Sequence, residues 1–213
     1  FRIPADKIEV VYQGCDPSFI HPVAAEKKRE IRAKYQLPDH YILNVGSIEE
    51  RKNALSAVQA LMMLPEQIHL VIVGRHTEYT DKIERFIKEN KLEKRVHIIS
   101  NVPFDDLPVF YQLAEIFVYP SRFEGFGIPI IEALYSGIPV VAATGSCLEE
   151  AGGPDSIYVH PDDIKGMADA FKQIYSDTER KKEMIEKGQK FAKRFSEEKQ
   201  AVEILNIYKK LMK

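Results

Sequence analysis

Between residues 41 and 160 the chain alternates short apolar runs with segments of helical period. The runs are Tyr41–Val45, Ile68–Val73, Val96–Ile99, Ile116–Tyr119, Ile138–Ala142 and Ile157–Val159. Most are rich in β-branched or aromatic residues and lack polar alternation, the pattern of parallel strands buried on both faces. The intervening segments read as helices. Leu55, Val58, Leu61 and Met62 share one face, as do Ile83, Phe86 and Ile87. Ile164, Met167, Ala168, Phe171, Ile174 and Tyr175 keep helical spacing behind a cap at Asp162 or Asp163. This alternation predicts an α/β fold, a doubly wound parallel sheet of Rossmann-like type, with ligands outside the carboxyl ends of its strands. The turns at Gly46, Gly74 and Glu124–Gly127 fall at such ends.

The flanks differ. Residues 1–22 hold a strand-like run, Ile8–Tyr12, then a turn-rich segment with Gly14, Pro17 and Pro22, and read as a linker ahead of a domain over 23–195. Residues 196–213 form a last helix. Its Ala201, Val202, Ile204, Leu205, Ile207, Tyr208, Leu211 and Met212 cover more than one stripe, so a further covering surface is expected.

Composition narrows the function classes. The formal charge of −2 excludes a nucleic-acid binder that works through a basic surface. No apolar run approaches the ~20 residues of a membrane span. Cys15 and Cys147 are too few for a disulfide framework or a metal knuckle, so a reduced, cytoplasmic setting is expected. Residues 178–194 carry an excess of basic side chains and offer peripheral contact with anionic lipid, but a solvated helix face is the stronger reading.

The densest chemistry lies in YPSRFEGFGIPIIEAL, Tyr119 to Leu134. Glu124 and Glu132 bracket a glycine turn that leads into a helix. Gly125 and Gly127 let the backbone approach a ligand, and the helix N-terminus suits a phosphate. The carboxylates accept hydrogen bonds from hydroxyls. Together they fit a sugar attached to a phosphate, hence a nucleotide-sugar.

At these residues the chain resembles the retaining GT-B glycosyltransferases of family 4, the group 1 type. The resemblance rests on an ordered set: VGS and KN with four residues between them, LVIVG, VHIISNV, the two glutamates with seven residues between them, and SGIPVVAA. It implies the C-terminal, donor-binding half of a two-domain enzyme, with the last helix crossing back to a missing N-terminal acceptor domain. The implied donor is a nucleoside diphosphate hexose, with GDP-mannose favoured and UDP-sugars open. By the same resemblance Glu124 contacts sugar hydroxyls and Glu132 the ribose. Backbone N–H groups of Phe126, Gly127 and Ile128 face the sugar and diphosphate. Lys52, with Arg51 beside it, meets the diphosphate. Gly46 and Ser47 form the first loop, where Ser47 replaces a common arginine. Ser100–Val102 contact the base, with Leu107 nearby. No Asp-x-Asp triplet occurs, so the diphosphate charge is expected to be met without a metal or other cofactor.

Simpler readings compete. Arg51 and Lys52 lie in a charged run that could be a solvated loop, Glu132 alone would read as a helix surface residue, and Asn53 reads as a helix N-cap. His160 suits a turn, His97 a packed or edge strand position, and Cys147 a small buried residue. A GT-B sugar-nucleotide epimerase and a non-catalytic nucleotide-sugar-binding module are the competing functions.

Overall fold

The computed structural model describes residues 3–212. Phe1, Arg2 and Lys213, at the extremes of the expected linker and last helix, lie outside the described residues. Six strands, β1 (Tyr41–Val45), β2 (His69–Val73), β3 (Val96–Ile99), β4 (Ile116–Tyr119), β5 (Val140–Ala143) and β6 (Ile157–Val159), form one sheet in the order β3-β2-β1-β4-β5-β6. Every pairing is parallel. The expected doubly wound sheet is therefore what forms. The helices are α1 (Ala25–Tyr35), α2 (Ala54–Leu61), α3 (Glu78–Glu89), α4 (Leu107–Leu113), α5 (Ile128–Tyr135), α6 (Leu148–Gly152), α7 (Ile164–Ser176), α8 (Thr178–Ala192) and α9 (Glu197–Leu211).

Strand residues alternate between two buried layers. Tyr41, Leu43, Phe117 and Tyr119 join Phe110, Tyr111, Ile130 and Ile131 on one face. Ile42, Ile116 and Val118 join Val58, Leu61, Met167 and Phe171 on the other. With both faces covered, neither needs polar positions, which is why these strands read as unbroken apolar runs. Two predicted strand starts fall back into turns. Ile68 closes onto the Pro65 carbonyl at 3.1 Å, and Ile138 onto that of Ala133 at 3.2 Å. Met62 does not share the buried face of α2; it follows the last helical residue and is exposed, while Ala57, Val58 and Leu61 carry the packing.

Ile8–Tyr12 is not a strand. Ile8 and Val10 are exposed, and the segment finds no sheet edge to pair with. Its continuation runs instead beside the start of α9, through a bridge between Cys15 and Ser196 and a bond from Cys15 N–H to the Phe195 carbonyl at 2.9 Å. Helix α9 buries none of its residues, and Val202, Leu205 and Tyr208 are exposed. In α8 much of the basic excess is paired locally, Arg180 with Glu183 at 2.9 Å and Lys182 with Glu179 at 2.8 Å, as a solvated face requires. No helix among the described residues is long and apolar enough to cross a membrane.

At the β2–β3 edge, His69 Nδ1 and His97 Nε2 stand 3.0 Å apart with the rings stacked. One nitrogen must donate and the other accept, so a second proton breaks the bond. Burial lowers both imidazoles below their ordinary value near 6.5, with Arg95 and His40 adding to the shift at His69. A depressed imidazole means that below this pH the unfolded chain takes up protons that the fold resists. Stability is thus expected to fall as pH drops from about 6.5, because the unfolded state binds more protons there. Urea midpoints measured between pH 7.5 and 5 test this, and a His97→Gln variant should show a shallower decline. An unchanged slope would remove the pair as its cause.

Candidate functional site

The order of the sheet reverses between β1 and β4, so the loops leaving these two strands part to opposite sides and leave a crevice at their carboxyl ends. Gly46 begins one loop and Tyr119 ends the strand before the other. Gly46 holds a φ of +147°, a conformation favouring glycine, and a Cβ there would lie 3.2 Å from the Lys52 amine. Lys52 then reaches across the crevice. Its Nζ lies 3.0 Å from Glu124 Oε1 and 2.9 Å from the Tyr119 hydroxyl. Arg51 Nη1 lies 3.1 Å from Glu124 Oε2 and donates to the Phe123 carbonyl at 3.0 Å.

Glu124 is consequently crowded with donors. Tyr119 and Ser121 add hydroxyl bonds to Oε1 at 2.9 and 2.8 Å. Burial alone would raise its pKa, but the bonds from Ser121, Lys52 and Tyr119 outweigh burial and hold it below the ordinary carboxylate value. The Glu124 bond is in turn the leading cause of an upward shift at Arg51. The expected cationic phosphate site is thus neutralised internally in the free chain, because the loop carrying Glu124 meets the loop carrying both cations. The Lys52 side chain is only 15% exposed, which removes the solvated-loop reading for that residue.

Glu132 is also not a surface group. It is buried on α5 and accepts a bond from the buried Tyr111 hydroxyl at 2.6 Å. Desolvation raises its pKa, with the Tyr111 bond opposing. Gly125 is exposed, with no atom within 4 Å of where a Cβ would stand, whereas Gly127 has φ +127° and is closed in by Leu148 and Ala151. No side chain caps α5, and Pro129 removes one backbone donor, so the first turn leaves the Ile128 N–H for an outside partner.

Of the remaining predicted residues, Ser47 joins the cluster through Glu49, whose other oxygen lies 3.1 Å from Arg51 Nε. The Ser47 hydroxyl donates to Glu49 at 2.6 Å within its own loop. Val102, Leu107, Phe126 and Ile128 are partly buried against the first core layer. Ser100 donates to the Gly74 carbonyl at 2.9 Å. Asn53 occupies the N-cap position of α2 but does not cap it. Its amide donates to the carbonyls of Pro120 and Pro161, at 3.3 and 2.8 Å, tying three loops together. Cys147 is only partly buried, and its Sγ approaches the carbonyl oxygens of Glu124 and Phe126 at 3.1 and 3.2 Å. The sequence reading missed Tyr119 and Ser121, although one ends β4 and the other lies in the turn from it to Glu124. It also missed Tyr111, which no spacing links to Glu132.

A parallel α/β domain with a cation–carboxylate cluster at its switch point, beside an uncapped helix start, has the layout of doubly wound domains that take ligands at the carboxyl ends of their strands. The sequence pattern of the glycosyl transferases group 1 matches residues 27–191, and the chain belongs to that family. It is 32% identical to the O-antigen chain mannosyltransferase B of Escherichia coli over 99% of its own length and 56% of that protein's. Identity to the D-inositol 3-phosphate glycosyltransferase of Corynebacterium aurimucosum is 30%, covering 95% of this chain and 51% of the relative. The chain thus spans about half the length of the curated relatives it matches. Among solved structures, a glycosyltransferase from Rickettsia africae superposes with a TM-score of 0.92 at 25% identity, over all of this chain and 59% of the other. The fold is also that of Anabaena HepE solved with UDP and glucose, with a TM-score of 0.86 at 20% identity, over 98% of this chain and 58% of the other.

Proposed function

We propose that the chain is the donor-binding half of a retaining glycosyltransferase, holding a nucleoside diphosphate hexose while an N-terminal domain presents the acceptor. The observation that carries this reading is the Lys52–Glu124–Arg51 cluster beside Gly125 and the open start of α5. Such a cluster is a site waiting for partner exchange. The donor's diphosphate draws Lys52 and Arg51 off the carboxylate, and the sugar hydroxyls replace them at Glu124. The same cations and the helix end then stabilise the leaving nucleoside diphosphate as the C1–O bond breaks, the acceptor hydroxyl oxygen bonds to C1 and its proton passes to the departing phosphate oxygen. Mannosyltransferase names among the relatives favour GDP-mannose, and the UDP and glucose in the HepE structure keep UDP-sugars in view.

Glu132 has a separate task, accepting the ribose hydroxyls, with Tyr111 fixing its carboxylate. Val102 and Leu107 line the base end. Ser47 leaves the second positive charge to Arg51. The charge of the diphosphate is met without a metal ion. The exposed side of α9 packs on the acceptor domain, so this chain alone transfers no sugar, and docking at a membrane surface is left to the whole enzyme.

Calorimetric titration with GDP-mannose, UDP-glucose, GDP and UDP in the presence of EDTA tests the reading. Binding should persist with the metal removed, and Glu132→Ala should weaken free nucleotide and nucleotide-sugar alike, by about tenfold for one lost charge-assisted bond. A strict Mg²⁺ requirement, or a Glu132→Ala variant that binds free nucleotide normally, would sink the assignment.

A further inference from the structure

Phe126 is the one side chain between two glycines in the loop that leads into α5, so its ring is the loop's main anchor. That ring does not pack on the sheet alone. It stacks on Tyr12 of the linker, with centroids 5.4 Å apart and planes at 21°, and meets the edge of Phe195 at 5.5 Å. Tyr12 is itself fixed from three sides. Its hydroxyl bonds to Glu150 of α6, Phe195 stands edge-on to it at 5.4 Å, and the Arg194 guanidinium lies over its ring at 5.2 Å. Glu150 belongs to the helix that begins after Cys147, whose sulfur touches the Glu124 and Phe126 carbonyls. The glycine loop is therefore clasped between the linker and α6, and these two clasps are joined by the Tyr12–Glu150 bond.

The linker is also secured against the start of α9. Gly14 N–H donates to the Gln200 side chain at 2.9 Å, and a Cβ on Gly14 would stand 2.6 Å from the Glu197 backbone. The chain entering the domain and the chain leaving it thus run side by side, and their shared aromatic cluster bears on the glycine loop.

We propose that Tyr12 is a positioning residue for the donor: through its stack on Phe126 it sets the Gly125–Ile128 backbone and couples linker placement to nucleotide-sugar affinity. The proposal rests on the donor-site reading above. A backbone that must present N–H groups to a diphosphate tolerates little displacement, and losing the stack frees its anchor. The coupling is reciprocal, so donor binding must in turn restrain the linker.

Hydrogen exchange read by mass spectrometry and calorimetry with GDP-mannose and UDP-glucose, on Tyr12→Ala and Tyr12→Phe, decide it. In Tyr12→Ala, amides 124–128 should exchange faster while those of β1 and β4 keep their rates. Donor affinity should drop by up to about tenfold, the upper end of what an aromatic pair contributes. Tyr12→Phe keeps the ring and should restore both readouts. Unchanged loop exchange in Tyr12→Ala would overturn the proposal, as would exchange rising alike across the whole sheet or a Tyr12→Phe variant no better than Tyr12→Ala. Faster loop exchange with normal donor affinity would overturn the positioning role. If the unaltered chain binds neither nucleotide-sugar, the donor reading fails by itself, and the exchange measurement still decides whether Tyr12 holds the loop.

Discussion

Lys52→Ala is expected to weaken binding of free GDP or UDP by about 1.5–3 kcal/mol, the range for a hydrogen bond to a charged group, while Glu124→Ala leaves that binding intact or tightens it. The opposite signs follow from the geometry of the free chain. Lys52 and Arg51 are both held by Glu124, at 3.0 and 3.1 Å, so the diphosphate competes with a carboxylate for them. Removing the carboxylate releases Lys52 from its ion pair, while Arg51 keeps Glu49, whose Oε2 lies 3.1 Å from its Nε. Removing Lys52 takes away the better-buried of the two cations and leaves Glu124 with Arg51, Tyr119 and Ser121. For the nucleotide-sugar the balance changes, because Glu124→Ala also loses the hydroxyl contacts, so this variant should discriminate against the intact donor. Titrating both variants and the double variant with free nucleotide and nucleotide-sugar gives the cycle. Equal losses on free nucleotide for Lys52→Ala and Glu124→Ala would show that the cluster is a structural ion pair rather than an exchangeable one.

The sheet was legible in the sequence because a parallel sheet with helices on both faces leaves no polar register to confuse the pattern. All six apolar runs became strands, with errors only at their ends: Ile68, Ile138 and Pro139 fall in turns ahead of the strands, and Ala143 extends β5 by one residue. Ile8–Tyr12 misled for the converse reason: its pattern suits a strand, but strand formation needs an edge, and only its continuation pairs, in a single bridge between Cys15 and Ser196. At the site, the residue types and their order were legible, and their mutual contacts were not. Glu124, Arg51 and Lys52 come from loops far apart in sequence that meet because β1 and β4, which they follow, are paired neighbours in the sheet. That meeting decides whether the cations are free or paired. Tyr111 escaped notice because a buried tyrosine on an apolar helix reads as core, and Tyr12 because its significance depends on stacking with a ring far away in the sequence. Asn53 shows the limit of local rules: it stands where a cap belongs, yet three-loop contacts claim its amide.

Two glycines that look alike in sequence are expected to respond oppositely to alanine. A Cβ on Gly74 would stand 1.8 Å from the Gly46 carbonyl oxygen and 2.8 Å from its carbon. The obstructing atoms are backbone, and Gly46 cannot retreat freely, since its N–H bonds to the Val73 carbonyl at 2.9 Å. Gly74→Ala should therefore cost about 3 kcal/mol or more, the top of the overpacking range. At roughly 2–4 °C per kcal/mol for a chain of this size, that lowers Tm by about 6–12 °C. A Cβ on Gly125 would have no atom within 4 Å beyond its chain neighbours, and Gly125 lacks a positive φ, so an alanine there meets nothing else in the protein. The fold gives no reason for a glycine at that position, and the donor-site proposal supplies one, the approach of the ligand. Gly125→Ala is expected to leave Tm within about 1 °C, as surface changes away from strained features do, while weakening nucleotide-sugar binding because the added methyl occupies the donor's space. Scanning calorimetry and titration on both variants separate the cases. A Gly74→Ala variant of unaltered Tm would mean the Gly46 loop shifts at little cost, and a Gly125→Ala variant with full donor affinity would mean the donor does not pass over that backbone.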